Sequence, residues 1–341
     1  NSFDEVNFGQ PGSFTSLPMP SGLEFPWDIE YNAATDRFFV VGAGNDGGTS
    51  APSRGFNADK AGTIWSFDRD GSNPIQHASG LDRPQHLDVS SDGQTVFFSE
   101  QGEGVAESFQ NNGRIGRLDV ATNTIETVVT APDAAGPTGV HFDQANDTIY
   151  YQVIKRGQTP DFDPQQIRRV SNATTATNLG AGSDELFLAN KPAAGRLDDG
   201  SEANVLSAGR NLQLVGDSLY FTFRNGTIAS EEGVPAGEIR RIPLNFDLDN
   251  EDPFAVFDTV VTGDRIVDFE VLGDTIYWTD SDLFNPSVFK ANLDGTNQTL
   301  IAQGTLFDSV PIGVAVVPAP ASLALLGFGG LVVSSGRRRR A

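Results

Sequence analysis

The apolar residues of this chain fall into short runs that recur as three kinds of line. One is a β-branched or aromatic run entered from an Asp or Gly turn: Arg37-Phe-Phe-Val-Val41, Thr95-Val-Phe-Phe-Ser-Glu100, Thr148-Ile-Tyr-Tyr-Gln-Val153, Ser218-Leu-Tyr-Phe-Thr-Phe223 and Thr275-Ile-Tyr-Trp-Thr-Asp280. Runs of this kind suit a pleated surface. A second line follows each one: Gly62-Thr-Ile-Trp-Ser-Phe67, Gly113-Arg-Ile-Gly-Arg-Leu118, Gln166-Ile-Arg-Arg-Val170, Gly237-Glu-Ile-Arg-Arg-Ile242 and Ser287-Val-Phe-Lys-Ala-Asn292. Two of these run into matching Asp-Gly turns, Asp68-Arg-Asp-Gly-Ser-Asn73 and Asn292-Leu-Asp-Gly-Thr-Asn297, a strong hairpin signal because Gly supplies positive φ.

A third line precedes each pair: Pro26-Trp-Asp-Ile-Glu-Tyr31, Pro84-Gln-His-Leu-Asp-Val89, Pro137-Thr-Gly-Val-His-Phe142, Arg210-Asn-Leu-Gln-Leu214 and Ile266-Val-Asp-Phe-Glu-Val271. A sixth copy, Pro311-Ile-Gly-Val-Ala-Val316, stands near the C-terminus. Centred on Ile29, Leu87, Val140, Leu212, Phe269 and Val314, the copies are spaced by 58, 53, 72, 57 and 45 residues. Repeats of this period, rich in strands, point to a propeller. The spacing varies through insertions rich in Gly, Ser, Asn and Asp, at 42–61, 101–112 and 172–208.

The last repeat, from Tyr277-Trp-Thr-Asp280 through Asn292-Leu-Asp-Gly295 to Pro311-Ile-Gly-Val314, resembles the YWTD six-bladed β-propeller of lipoprotein-receptor ectodomains. The resemblance extends from about residue 24 to 316. That family's cysteine-rich neighbouring modules are absent, so receptor function does not carry over. The expected fold is all-β: a six-bladed propeller over 1–316 and a C-terminal hydrophobic helix within 317–341. Only five inner lines are followed by outer strands, so the N-terminal candidates Val6-Asn-Phe8 and Ser13-Phe-Thr-Ser-Leu17 would complete the sixth blade. A five-bladed ring, with 312–316 as an odd strand, is the alternative.

If the third line is innermost, alternation gives it meaning. The central apolar residues pack between blades, and their neighbours face a channel in two rings. One ring is Asp28, His86, Gly139, Asn211, Asp268 and Gly313; the next is Glu30, Asp88, His141, Gln213, Glu270 and Ala315. A water-filled channel can be polar without any ligand. The sharper reading is a divalent-cation site drawn from Asp28, Glu30, His86, Asn211 and Asp268. Hard oxygens suit Ca²⁺, and His86 shifts the preference towards a transition metal. Carboxylates crowded in a ring repel, which raises their pKa or calls for a cation.

The site is broadly similar to that of lactonase-like propellers, in which Glu, Asn and Asp hold a metal at the channel mouth. The likeness implies a hydrolase with the metal as Lewis acid and His86 or Asp268 as general base. No Walker A, dinucleotide-binding, His-Glu-x-x-His or Gly-x-Ser-x-Gly motif supports another enzyme class. The Asp-rich stretch 245–252 lacks the central Gly and final Glu of a calcium loop and reads as a solvated linker.

Charge narrows the partners. The 341 residues carry 45 Asp+Glu, 23 Lys+Arg and no Cys, for a formal net charge of −22. An acidic chain is no nucleic-acid binder, and the absence of Cys removes disulfide scaffolds and thiol chemistry. Four of the basic residues are Arg337, Arg338, Arg339 and Arg340; without them 19 face 45, leaving the rest at −26.

The tail has three parts: Val317-Pro318-Ala319-Pro320, an uncharged segment over 321–336, and the Arg block. Sixteen helical residues span about 24 Å, short of the ~30 Å hydrocarbon core, so the segment reads as a marginal membrane anchor with the Arg cluster cytoplasmic. This order resembles the PEP-CTERM sorting signal of Gram-negative bacteria, with Ala319 in place of the family's central Glu. The resemblance implies export, transient retention in the inner membrane and processing by an exosortase-type transpeptidase, with the protein ending at the cell surface or outside the cell. The combined expectation is a surface-associated propeller that binds a protein, glycan or matrix polymer through its loops.

Overall fold

The computed structural model describes residues 3–6, 14–17, 20–24, 26–44, 61–102, 104–105, 108–109, 113–131, 135–155, 166–189, 209–224, 237–280, 287–303 and 313–317. The three lines of each repeat pair as antiparallel neighbours, and a fourth strand completes each sheet. Blade 1 comprises Pro26–Asn32, Arg37–Gly42, Gly62–Asp68 and Ile75–Leu81. Blade 2 comprises Pro84–Val89, Thr95–Glu100, Arg114–Asp119 and Thr124–Thr130. Blade 3 comprises Ala135–Asp143, Thr148–Lys155, Gln166–Ser171 and Glu185–Ala189. Blade 4 comprises Leu212–Val215, Ser218–Arg224, Gly237–Pro243 and Asp258–Gly263, and blade 5 Ile266–Leu272, Thr275–Asp280, Ser287–Asn292 and Thr299–Gln303. The two Asp-Gly turns close as expected: Gly71 and Gly295 take φ of 82° and 80° and donate to Asp68 O and Asn292 O, each at 2.8 Å.

Burial on both faces explains the unbroken apolar runs. In blade 1, Phe39, Val41 and Ile64 pack with Leu87, Val96, Phe98 and Leu118 of blade 2. The alternate residues Phe38, Val40, Trp65 and Phe67 turn the other way. The same division places Phe97 and Ile115 against Val140, Ile149 and Tyr151, then Tyr150 and Ile167 against Leu212, Leu219 and Phe221. Tyr220 and Ile239 then meet Phe269, Ile276 and Trp278. Four apolar seams thus join the five blades in sequence.

The fifth seam corrects the expected blade count. Five blades, not six, are built. Residues 313–317 lie between blades 5 and 1, with Ala315 and Val317 against the Phe38–Trp65 cluster. Val314 N–H donates to Asp268 Oδ2 at 2.7 Å. This segment joins no strand ladder among the described residues. Phe3–Val6 and Phe14–Leu17 pair only with each other, as a separate two-stranded sheet. An inner strand becomes a blade only if a second strand pairs with it, and none does among the described residues.

The only helical piece among the described residues is the single turn Pro253–Val256, and no helix there is long and apolar enough to cross a membrane. The expected C-terminal helix within 317–341 lies almost wholly outside the described residues, which end at Val317. The acidic stretch 245–252 is a turn-rich link within blade 4, with Asp247, Asp249 and Asn250 bonding within the stretch.

Candidate functional site

Antiparallel pairing places all five inner strands around the axis, starting from the same face of the ring. In blades 1, 2, 3 and 5 the register slips just before the first channel residue, so that Trp27, Gln85, Thr138 and Val267 stand opposite no partner. Such a bulge bends the strand and re-aims the side chains beyond it. Alternation then sends Asp28, Glu30, His86, Asp88, His141, Asn211, Gln213, Asp268 and Glu270 into one pocket. Val314 joins the lining. Gly139 needs to be Gly, because a Cβ there would lie 2.8 Å from Arg210 O.

Most of these polar groups hold the ring together. Asp28 Oδ2 accepts Leu87 N–H at 2.9 Å, and Glu30 Oε2 accepts Val89 N–H at 2.7 Å. Asp88 Oδ2 accepts Phe142 N–H at 2.6 Å and meets His141 Nδ1 at 2.7 Å. Asn211 Nδ2 donates to Phe269 O at 2.7 Å and also to Asp268 Oδ1; Gln213 Oε1 accepts Val271 N–H at 3.0 Å. Each side chain reaches the backbone of the next blade, one residue past that blade's own channel position. This clamping role was not visible in the sequence, since a polar residue facing the axis does not announce its partner.

One cluster goes beyond clamping. Asp28, His86 and Asp268, from blades 1, 2 and 5, each offer a ligand atom within 4.8 Å of the others. His86 Nδ1 lies 3.6 Å from Asp28 Oδ2. The imidazole is 7% exposed and makes no close hydrogen bond at either ring nitrogen; its neighbours are Asp28 and the Val140 backbone of blade 3. The chain's other two His differ. His77 bridges Ser66 Oγ at 2.7 Å and Asn123 Oδ1 at 2.8 Å, and His141 is held by Asp88.

The electrostatics follow from crowding. Five carboxylates and no Lys or Arg line the pocket. Burial pushes Asp28 and Asp268 up to about 7, and each is further raised by a neighbouring carboxylate. Glu270 rises to about 8 and Glu30 well above its usual range. Both keep some contact with solvent, yet protein atoms crowd them and burial is the main cause. Burial also lowers His86, leaving a neutral imidazole with a lone pair to offer.

Of the five residues expected at a cation site, the structure brings Asp28, His86 and Asp268 together. Asn211 touches the cluster through Asp268 but commits its amide nitrogen to Asp268 and Phe269. Glu30 sits one ring further along the channel. His86 and Asp268, the alternative catalytic pair, lie side by side in that cluster. Gly313 abuts Asp28 and Ile29, and Ala315 packs on blade 1, so the last copy adds no polar side chain to either ring. Of the tail motif only Val317 is described; Pro318, Ala319, Pro320 and the Arg block fall outside. Sequence reading missed Trp27, whose Nε1–H donates to Gln85 Oε1 at 2.6 Å and whose ring lies 4.6 Å beneath the Arg210 guanidinium. Only the bulges at Trp27 and Gln85 bring these residues together, and strict alternation hides them.

No protein-family model matches this chain, and no curated protein matches it in sequence. Solved structures do resemble it. A chain of the nidogen/laminin complex superposes with a TM-score of 0.53 at 11% identity, over 90% of this chain and 95% of that one. TolB from Acinetobacter baumannii gives 0.50 at 12% identity, over 89% of this chain and 64% of that one. At such identities the likeness shows fold alone. That fold is a β-propeller.

Proposed function

We propose that this chain is an exported binding module of the bacterial envelope or extracellular matrix, which recognises a protein or glycan on one face of its propeller. The observation that carries the reading is the distribution of links. Inner strands begin on the face where second strands end, and the links 43–61, 101–113, 156–165, 225–236 and 281–286 leave from there, as do 190–211 and 304–312. The turns between inner and second strands, on the opposite face, are all short. Two longer links on that face, 172–184 and 244–257, are tied to their surroundings through Thr130 N–H to Leu179 O and Leu244 N–H to Asp217 O. Recognition sits most often on variable loops carried by a rigid scaffold. The nidogen/laminin match was itself solved as a complex between proteins.

Sorting by the PEP-CTERM-like tail and an exosortase-type transpeptidase belongs to the same proposal. Replacing Arg337–Arg340 by Ser should change whether the protein is retained or released in cell fractionation; an unchanged fate would refute the sorting claim. For recognition, replacing 45–60 with a Gly/Ser stretch of equal length should abolish retention on immobilised matrix polysaccharide or envelope protein. Substituting Asp70 and Asp294, in the turns of the opposite face, should leave it intact. Equal retention by both variants would overturn the reading.

A second reading, a metal-dependent lactonase or esterase, is favoured by the Asp28, His86 and Asp268 cluster near the end of the channel that meets the loop face. It requires chelator-sensitive turnover of lactones or esters that His86→Ala removes. A metal-loaded protein with no such turnover would exclude it.

A further inference from the structure

We propose that Asp28, His86 and Asp268 bind one first-row transition divalent cation of the zinc type, across the seam where the ring closes. The inference supplies what a hydrolase would need but does not rest on that reading, nor on recognition by the loop face. Three features of the site support it.

The first is geometry. Ligand atoms on a tetrahedral zinc at about 2.0–2.2 Å lie roughly 3.3–3.6 Å apart. His86 Nδ1 and Asp28 Oδ2 are 3.6 Å apart, and all three donors fall within 4.8 Å of one another.

The second is the state of His86. Buried polar atoms nearly always find partners, and His77 and His141 do. His86 is 7% exposed, makes no close hydrogen bond at either ring nitrogen beyond a long approach to the Val140 backbone, and stands beside two buried carboxylates. A coordinated cation satisfies the imidazole and neutralises the carboxylates together.

The third is the outer layer. Metal-bound carboxylates are themselves held by hydrogen bonds that orient them. Leu87 N–H holds Asp28, while Val314 N–H and Asn211 Nδ2 hold Asp268. No Lys or Arg competes for the carboxylates in the pocket. Calcium prefers six to eight oxygens, whereas an imidazole with two carboxylates suits a transition ion. Because Asp28 belongs to blade 1 and Asp268 to blade 5, the cation would join the first and last blades where no ladder does.

The test uses the full chain, stripped with chelator and titrated calorimetrically with Zn²⁺ and, separately, with Ca²⁺. The expected result is one tightly bound Zn²⁺ per chain, a raised melting temperature, and weaker Ca²⁺ binding. His86→Ala and Asp268→Asn should each weaken zinc by at least the roughly 10–100-fold that loss of an outer-layer partner alone costs. His77→Ala should leave the zinc affinity unchanged. Because truncation at the seam could unfold the ring, His86→Gln, which retains volume and polarity, is measured beside it and must also lose zinc while its circular dichroism stays native. The inference is overturned by no zinc uptake, by uptake that both folded His86 variants retain, or by Ca²⁺ binding as tightly as Zn²⁺.

Discussion

Replacing Asp88 tests whether the channel carboxylates hold the ring together. Asp88 belongs to blade 2, and its Oδ2 accepts the Phe142 amide of blade 3 at 2.6 Å and faces His141 Nδ1 at 2.7 Å. Asp88→Ala strands both groups at a site where Asp88 is only 8% exposed. A buried donor left unsatisfied costs about 1–3 kcal/mol, and bonds to charged groups lie at the upper end. The amide accounts for that range and the half-buried His141 for about 1 kcal/mol more, together roughly 2–4 kcal/mol. With an unfolding entropy of about 2.1 cal/mol/K per residue, 1 kcal/mol shifts the melting temperature of a chain this long by roughly 1.5 °C. The expected drop is therefore about 3–6 °C by differential scanning calorimetry. Asp88→Asn keeps an oxygen for the Phe142 amide and should cost about 1 kcal/mol, close to a neutral hydrogen bond. If Asp88→Ala melts within about 1 °C of the parent protein, the inter-blade bond carries no stability and the clamp argument fails.

Two further predictions come from packing and from pH. A Cβ on Gly116 would lie 2.2 Å from Phe98 Cζ, inside the seam of blades 1 and 2, so Gly116→Ala should cost about 1–3 kcal/mol as overpacking; a neutral effect in urea titration would show that the Phe98 ring can move aside. For pH, the groups facing one another are Asp28, Glu30, Asp88, Asp268, Glu270, His86 and His141. With Asp28 and Asp268 near 7 and Glu270 near 8, the folded, chelator-treated chain retains protons that the unfolded chain has released by about pH 4. More protons bound in the folded state means that stability falls as pH rises between about 4 and 8. Glu270→Gln should flatten that fall, and equal slopes in melting temperature against pH would contradict the crowding.

The strands and channel were legible for the same physical reason. Residues such as Phe38 and Phe39, or Tyr150 and Tyr151, alternate between two apolar seams, so blade strands show as unbroken apolar runs. Inner strands face water on one side, so Asp28-Ile29-Glu30 and Asp268-Phe269-Glu270 show period two. The number of blades was not legible. Gly313 to Val317 follows the inner-strand pattern and takes an inner strand's place beside Asp28 and Asp268. Pattern reports which face is buried, but not whether a second strand will pair. The candidate site was legible as a set of side chains on one axis. That His86 makes no close hydrogen bond, while Asp88 and Gln213 are occupied by neighbouring backbone, depends on distances across blades far apart in sequence.

Cation binding by the first channel ring, at the seam of blades 1 and 5, can be seen directly. Anomalous diffraction at the zinc edge, from crystals of the full chain grown with zinc, tests it most directly. One peak is expected about 2.0–2.2 Å from a carboxylate oxygen of Asp28, a ring nitrogen of His86 and a carboxylate oxygen of Asp268. Peaks confined to surface carboxylates, with none in the channel, would contradict it.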